Sequence, residues 1–90
     1  MLKKKQNINN VIRETNSIFK EILENNNIQI NYNTTSNDIP EWDSLGHIQL
    51  VIAIEKHFKI KFTASEIQKY NNVGEMCEAI LQKINKYEKK

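Results

Sequence analysis

One serine in this chain stands where a hydroxyl can be put to use. Ser44 lies within Trp42-Asp43-Ser44-Leu45-Gly46-His47-Ile48-Gln49-Leu50, between an aspartate and a leucine, at the start of a strongly apolar helical stretch. A side-chain oxygen at a helix start sits beside unpaired backbone N–H groups and the positive end of the helix dipole, so an anionic group carried on it is stabilised there. The chemistry this suggests is attachment, and a phosphodiester suits the position. Nucleophilic catalysis fits poorly: no buried strand precedes Ser44, no distant His and Asp pair completes a triad, and His47, one turn on, has no orienting carboxylate. His47 reads instead as lining the bundle. His47 and His57 have no cysteine or carboxylate cluster at ligand spacing, so no metal site is expected.

The elements that must position Ser44 follow from periodicity. From about Asn7 to Glu24, Ile8, Val11, Ile12, Ile18, Phe19, Ile22 and Leu23 recur at helical spacing, which gives a first amphipathic helix. Asn25-Asn26-Asn27 ends it, and the chain to Pro40 is rich in Asn, Thr and Ser with Ile28, Ile30, Tyr32 and Ile39 as apolar anchors. A lone strand over Ile28, Ile30 and Tyr32 has nothing to pair with, so this segment reads as a long loop pinned to the core. After Pro40, Asp43 or Ser44 supplies an N-cap for a helix running to about Phe58. Thr63 or Ser65 can cap a brief third helix through about Tyr70, and Asn72 with Glu75 forms a capping-box variant for a last helix to about Tyr87. In that helix Met76, Cys77, Ile80, Leu81, Ile84 and Tyr87 share a face, which makes Cys77 a core residue. The expected fold is all-α: a small four-helix bundle of three longer helices and one short one, with a long loop between the first and second.

Length, charge and cysteine content narrow the function. Ninety residues suit one domain, residues 1–90 with a core of about 7–87, and leave little material for a deep enzyme cleft. A single cysteine excludes an internal disulfide and suits a reducing compartment. No apolar run has the length of a membrane span, and Met1-Leu2-Lys3-Lys4-Lys5 is not followed by the stretch a signal peptide needs, so a cytoplasmic protein is expected. The net charge of +2 is largely terminal: residues 6–85 hold seven basic and ten acidic residues, net −3. The lysine-rich ends read as flexible, solubilising tails, no aromatic and basic face accompanies them, and nucleic-acid binding is not expected.

The second helix carries more apolar surface than a core requires. At about 100° per residue, His47, Leu50, Val51, Ile54 and Phe58 form one sufficient core arc. Leu45, Ile48 and Ile52 then form a second stripe beside Ser44, while Gly46, Gln49, Ala53 and Lys56 occupy the remaining sector. Either the loop or the third helix covers this stripe, or it is an exposed docking strip next to the serine.

The run Trp42-Asp43-Ser44-Leu45, the apolar helix ending in Glu55 and Phe58, Ile60, and the short capped segment before Asn72-Val73-Gly74 together resemble the acyl carrier and peptidyl carrier protein family. The resemblance extends from the first helix to the last. It implies that Ser44 is esterified by a 4′-phosphopantetheine arm whose thiol carries an acyl or aminoacyl group as a thioester. Ser44 is then an anchor, and the chain is not an enzyme. The same resemblance implies that Asp43 helps position the phosphopantetheinyl transferase and its metal-bound coenzyme A. Leu45, Ile48 and Ile52 become the recognition strip for that enzyme and for later acyl- or aminoacyl-loading and acyl-transferring partners. A monomer is expected. In fatty-acid carriers the second helix is acidic, yet Gly46, Gln49, Lys56 and His57 stand here where acids belong, and only Glu55 remains. Charge complementarity largely sets partner choice, which points away from basic-patched fatty-acid synthase enzymes and towards a dedicated pathway. The Pro40-Glu41-Trp42-Asp43-Ser44-Leu45 segment resembles stand-alone carriers of secondary-metabolite, amino-acid-activating or surface-glycan clusters. The alternative is a helical interaction module with the carrier fold that is never modified.

Overall fold

The computed structural model describes residues 7–88, with the side chains of Tyr87 and Glu88 left out, so the expected flexible lysine termini and the burial of Tyr87 lie outside the described residues. Four α-helices follow one another: α1 (Ile8–Ile22), α2 (Ser44–Phe58), α3 (Ala64–Ile67) and α4 (Val73–Glu88), with a 3-10 turn at Ser36–Asp38 in the long first loop. No strand occurs among the described residues.

The helix starts are set by side-chain caps. Asn7 Oδ1 accepts from the Asn10 amide at 2.9 Å, Asp43 Oδ1 from Gly46 at 2.8 Å, and Asn72 Oδ1 from Glu75 at 2.8 Å, each satisfying an amide that has no intrahelical partner. At α4 the reciprocal bond comes from the Asn71 amide, which donates to Glu75 Oε1 at 3.0 Å, one residue earlier than in a standard capping box. α3 has a complete box, with Thr63 Oγ1 accepting from Glu66 and Glu66 Oε1 accepting from Thr63. These bonds, with Lys83, hold the Glu66 carboxyl below its ordinary range.

α1 packs on both α2 and α4. Val11, Phe19, Leu50, Ile54, Val73, Cys77 and Ile80 are the innermost apolar side chains, and Ile28, Ile30 and Ile39 fold in from the loop. Tyr32, the third expected anchor of that alternation, stays exposed. Its hydroxyl donates to Glu78 Oε2 at 2.7 Å, which raises the phenol's pKa above the ordinary 10.0. The loop docks through its backbone: the amides of Val73 and Gly74 donate to the carbonyls of Thr34 and Tyr32 at 2.8 and 2.7 Å. A Cβ at Gly74 would enter the Tyr32 ring, so this approach requires glycine.

Two buried polar residues escaped the apolar pattern. Thr15 is fully buried, and its hydroxyl accepts from the Cys77 thiol at 3.8 Å. Burial pushes that thiol up to about 11, in keeping with a core role for Cys77. Thr34 is also buried, and its hydroxyl accepts from the Asn31 amide at 2.9 Å. A further departure is the end of α3, which stops at Ile67 rather than near Tyr70.

Candidate functional site

Ser44 is the first residue of α2 and is exposed. Its position is fixed from both sides. The Trp42 amide donates to Ile39 at 3.0 Å across a Pro40-Glu41 turn, and Asp43, extended at φ −99° and ψ −168°, caps the helix that Ser44 opens. Asp43 is also exposed and spends Oδ1 on the Gly46 amide. The N-cap is therefore Asp43, which leaves the Ser44 hydroxyl outside the capping bond.

Beside Ser44 opens a groove of about 700 Å³. Trp42, Ile48, Ile67, Tyr70 and Met76 give it apolar walls, and Ser36, Asp43, His47, Gln68, Asn71 and Asn72 add polar groups. α2, the segment from α3 to α4, and the first turn of α4 thus converge on the serine. Burial and, secondarily, Glu66 raise the Tyr70 phenol above its ordinary 10.0.

His47 joins two of these walls. Its Nδ1 lies 3.0 Å from Trp42 Nε1, and its Nε2 lies 3.0 Å from the Ile67 carbonyl oxygen. An indole N–H can only donate, so Nδ1 is the acceptor and Nε2 carries the proton that goes to Ile67. The last carbonyl of α3 thus accepts from a side chain, while the Asn71 amide that would continue the helix donates to Glu75 Oε1. Trp42 in turn packs edge-on against Phe19 of α1, ring centroids 4.9 Å apart.

The stripe beside the serine is uncovered. Leu45, Ile48 and Ile52 are 64%, 53% and 49% exposed, whereas Ile54 on the opposite arc is 0% exposed. Neither the loop nor α3 spans it. Three apolar side chains at i, i+3 and i+7 thus form an exposed apolar stripe on one helix face. Gly46, outside both apolar stripes, is buried, and a Cβ there would lie 2.7 Å from the Glu41 carbonyl oxygen and 3.1 Å from Leu23 Cδ2. A side chain at position 46 would force the Glu41 backbone to shift. Glu55 is likewise structural, its Oε2 accepting from the Phe62 amide at 2.9 Å. Gln49, Lys56 and His57 are exposed, and His57 Nε2 lies 2.8 Å from Glu14 Oε1.

Sequence reasoning missed the His47 link and the contributions of Tyr70, Asn71, Asn72 and Met76 to the groove. The available signal was Trp42 itself, a donor next to the serine in need of an acceptor; which acceptor depends on how α3 folds back. Among the described residues no group of His, Cys, Asp and Glu side chains could hold a metal ion, and no helix is long and apolar enough to cross a membrane.

Three comparisons bear on this geometry. A family profile described as a phosphopantetheine attachment site matches residues 17–80. An acyl carrier protein of Cyanidium caldarium is 44% identical over 43 residues, which cover 48% of this chain and 50% of that protein, so the chain matches about half the length of this curated relative. The solution structure of a holo acyl carrier protein from Geobacter metallireducens superposes with a TM-score of 0.81 at 34% identity, over 86% of this chain and 88% of that one. A family that bears a covalent 4′-phosphopantetheine accords with an exposed hydroxyl at a capped helix start, opening on a groove with both apolar and amide-bearing walls. The chain belongs to the acyl carrier protein family, whose members are carriers of that covalently attached arm and not enzymes.

Proposed function

We propose that this chain carries an acyl or aminoacyl group as a thioester on 4′-phosphopantetheine attached to Ser44, as a single stand-alone carrier domain of a dedicated biosynthetic pathway. The observation that carries the reading is the exposed Ser44 hydroxyl, first in α2, uninvolved in the cap and open to the groove. A phosphodiester there would face the first-turn amides of α2, with Asp43 holding that turn in register. When bound, the arm supplies a thiol that holds the cargo. The protein's own contribution is to anchor and present it. The side-chain amides of Gln68, Asn71 and Asn72 suit the amide-bearing part of such an arm, and Trp42, Ile48, Ile67 and Met76 suit its methyl and methylene groups.

Leu45, Ile48 and Ile52 are the surface on which a phosphopantetheinyl transferase, and afterwards acyl- or aminoacyl-loading and acyl-transferring enzymes, would dock. Asp43 would face the transferase and its metal-bound coenzyme A. The charge around the strip supports partners other than fatty-acid synthase enzymes, because Gln49, Lys56 and His57 offer no acids for Arg and Lys to grip. The reading places the carrier in the cytoplasm as a monomer.

Incubation with coenzyme A and a broad-specificity phosphopantetheinyl transferase, followed by intact-mass measurement, tests this function. Stoichiometric gain of one phosphopantetheine is expected. A protein that stays unmodified while a control carrier is converted would make it an interaction module with the carrier fold.

A further inference from the structure

The short α3 and the chain before Ser44 are distant in sequence and meet at one imidazole. Trp42 Nε1–H donates to His47 Nδ1, and His47 Nε2–H donates to the Ile67 carbonyl, both at 3.0 Å. Trp42 and Ile67 stand on two walls of the groove beside Ser44, and His47 lies between them. We propose that His47 is a positioning residue for the arm site: in its Nε2–H tautomer it ties the Trp42 segment, two residues before Ser44, to the end of α3, and holds the groove walls at a set separation. The inference rests on the reading that Ser44 bears the arm.

The link works only with a neutral ring. Protonation places an N–H at Nδ1 facing the N–H of Trp42, two donors with no acceptor between them, while the Nε2–H bond to Ile67 persists. Asp43 at the head of α2 and Tyr70 just after α3 line the groove with the ring, and Lys83 of α4 pairs with Glu66 of α3 at 3.1 Å. α4 brings Asn72 and Met76 to the groove, and α1 brings Phe19 to Trp42. α3 has a second tether through Glu66 and Lys83, so loss of the imidazole should loosen its end rather than unfold the domain.

Trp42 is the single tryptophan, so its fluorescence reports the bond directly in the unmodified protein. At neutral pH His47→Leu should shift the Trp42 emission relative to wild type, because the indole N–H loses its acceptor. His57→Gln should leave the emission as in wild type and His47→Gln should bring it back towards wild type, because glutamine offers one acceptor and one donor. His47→Leu should speed amide exchange at residues 68–71 roughly three- to tenfold, the scale of one lost hydrogen bond, and His47→Gln should restore protection. With a phosphopantetheinyl transferase, His47→Leu should raise the KM for the carrier and leave kcat near wild type, with rescue by His47→Gln. Trp42 emission unchanged in His47→Leu, or amide exchange unchanged there, would overturn the proposal. Absence of loading in every protein, wild type included, would count against Ser44 and not against the His47 link, which the fluorescence and exchange read by themselves.

Discussion

Truncating Ile52 and Ile54 separately distinguishes a docking strip from a core face, although the two residues are neighbours but one on α2. Ile54 is 0% exposed and packs among the side chains shared by α1, α2 and α4, so Ile54→Ala loses the transfer free energy of three carbons and leaves a cavity. Buried Ile→Ala changes cost about 2–5 kcal/mol. Ile52 is 49% exposed, so roughly half of the same transfer term is at stake, at about 0.8 kcal/mol per buried methylene, and an open surface leaves no void. Alanine's better helix propensity returns about 0.4 kcal/mol. The expected net cost of Ile52→Ala is about 1 kcal/mol or less. At about 4–8 °C per kcal/mol for a domain of this size, Ile54→Ala should lower Tm by more than about 10 °C and Ile52→Ala by only a few degrees. Urea titration gives the free energies, and initial rates of phosphopantetheine transfer give the second readout. Ile52→Ala should slow transfer while remaining folded. Equal or reversed stability losses would show that Ile52 belongs to the core and that the recognition face lies elsewhere.

The same reasoning makes further predictions. Gly46→Glu should destabilise by about 1–3 kcal/mol, read by urea titration, because the new Cβ meets the Glu41 carbonyl and the carboxylate is forced under the loop, whereas Gln49→Glu should leave stability within about 0.5 kcal/mol. Acids introduced together at Gln49, Lys56 and His57 should raise turnover by fatty-acid synthase enzymes, with a gain that shrinks as salt rises, since exposed charges are screened over about 10 Å at roughly 0.1 M. Cys77 should resist alkylation until the protein unfolds. Because its thiol pKa is raised from 9.0 to about 11, the stability gained by burying a neutral thiol is fully present below about pH 9 and is lost as pH rises through about 11, which urea titrations across that range would show.

The bundle and the place of Ser44 were legible because local chemistry announces them. Asp43 ahead of an unbroken apolar helix marks α2, and its observed span, Ser44–Phe58, matches the periodic reading. The α4 start was equally visible in Asn72 and Glu75. What escaped depends on tertiary approach. α3 is shorter than its apolar spacing suggests: His47, twenty residues away, donates to the Ile67 carbonyl, and the Asn71 amide turns to Glu75. α2 ends on Lys59 at φ 60°, a left-handed residue with no glycine to signal it. Gly46 sits outside both apolar stripes of the helical wheel, and the Pro40-Glu41 turn and Leu23, folding against α2, crowd and bury it. In the long loop the Thr35 and Asp38 box that shapes the 3-10 turn lies inside a run of Asn, Thr and Ser with too many equivalent partners to single out.

On the proposed function the arm is borne by Ser44. Ser36 lines the same groove and is the nearest competing hydroxyl in kind, so fragmentation mass spectrometry of the modified protein, run beside Ser44→Ala and Ser36→Ala, tests the claim most directly. Ser44→Ala keeps the Asp43 cap and should remain folded, yet it should gain no phosphopantetheine; Ser36→Ala should be modified at the wild-type rate, and the wild-type fragment ions should place the group on Ser44. Modification that persists in Ser44→Ala, or fragment ions that place it on Ser36, would contradict the account.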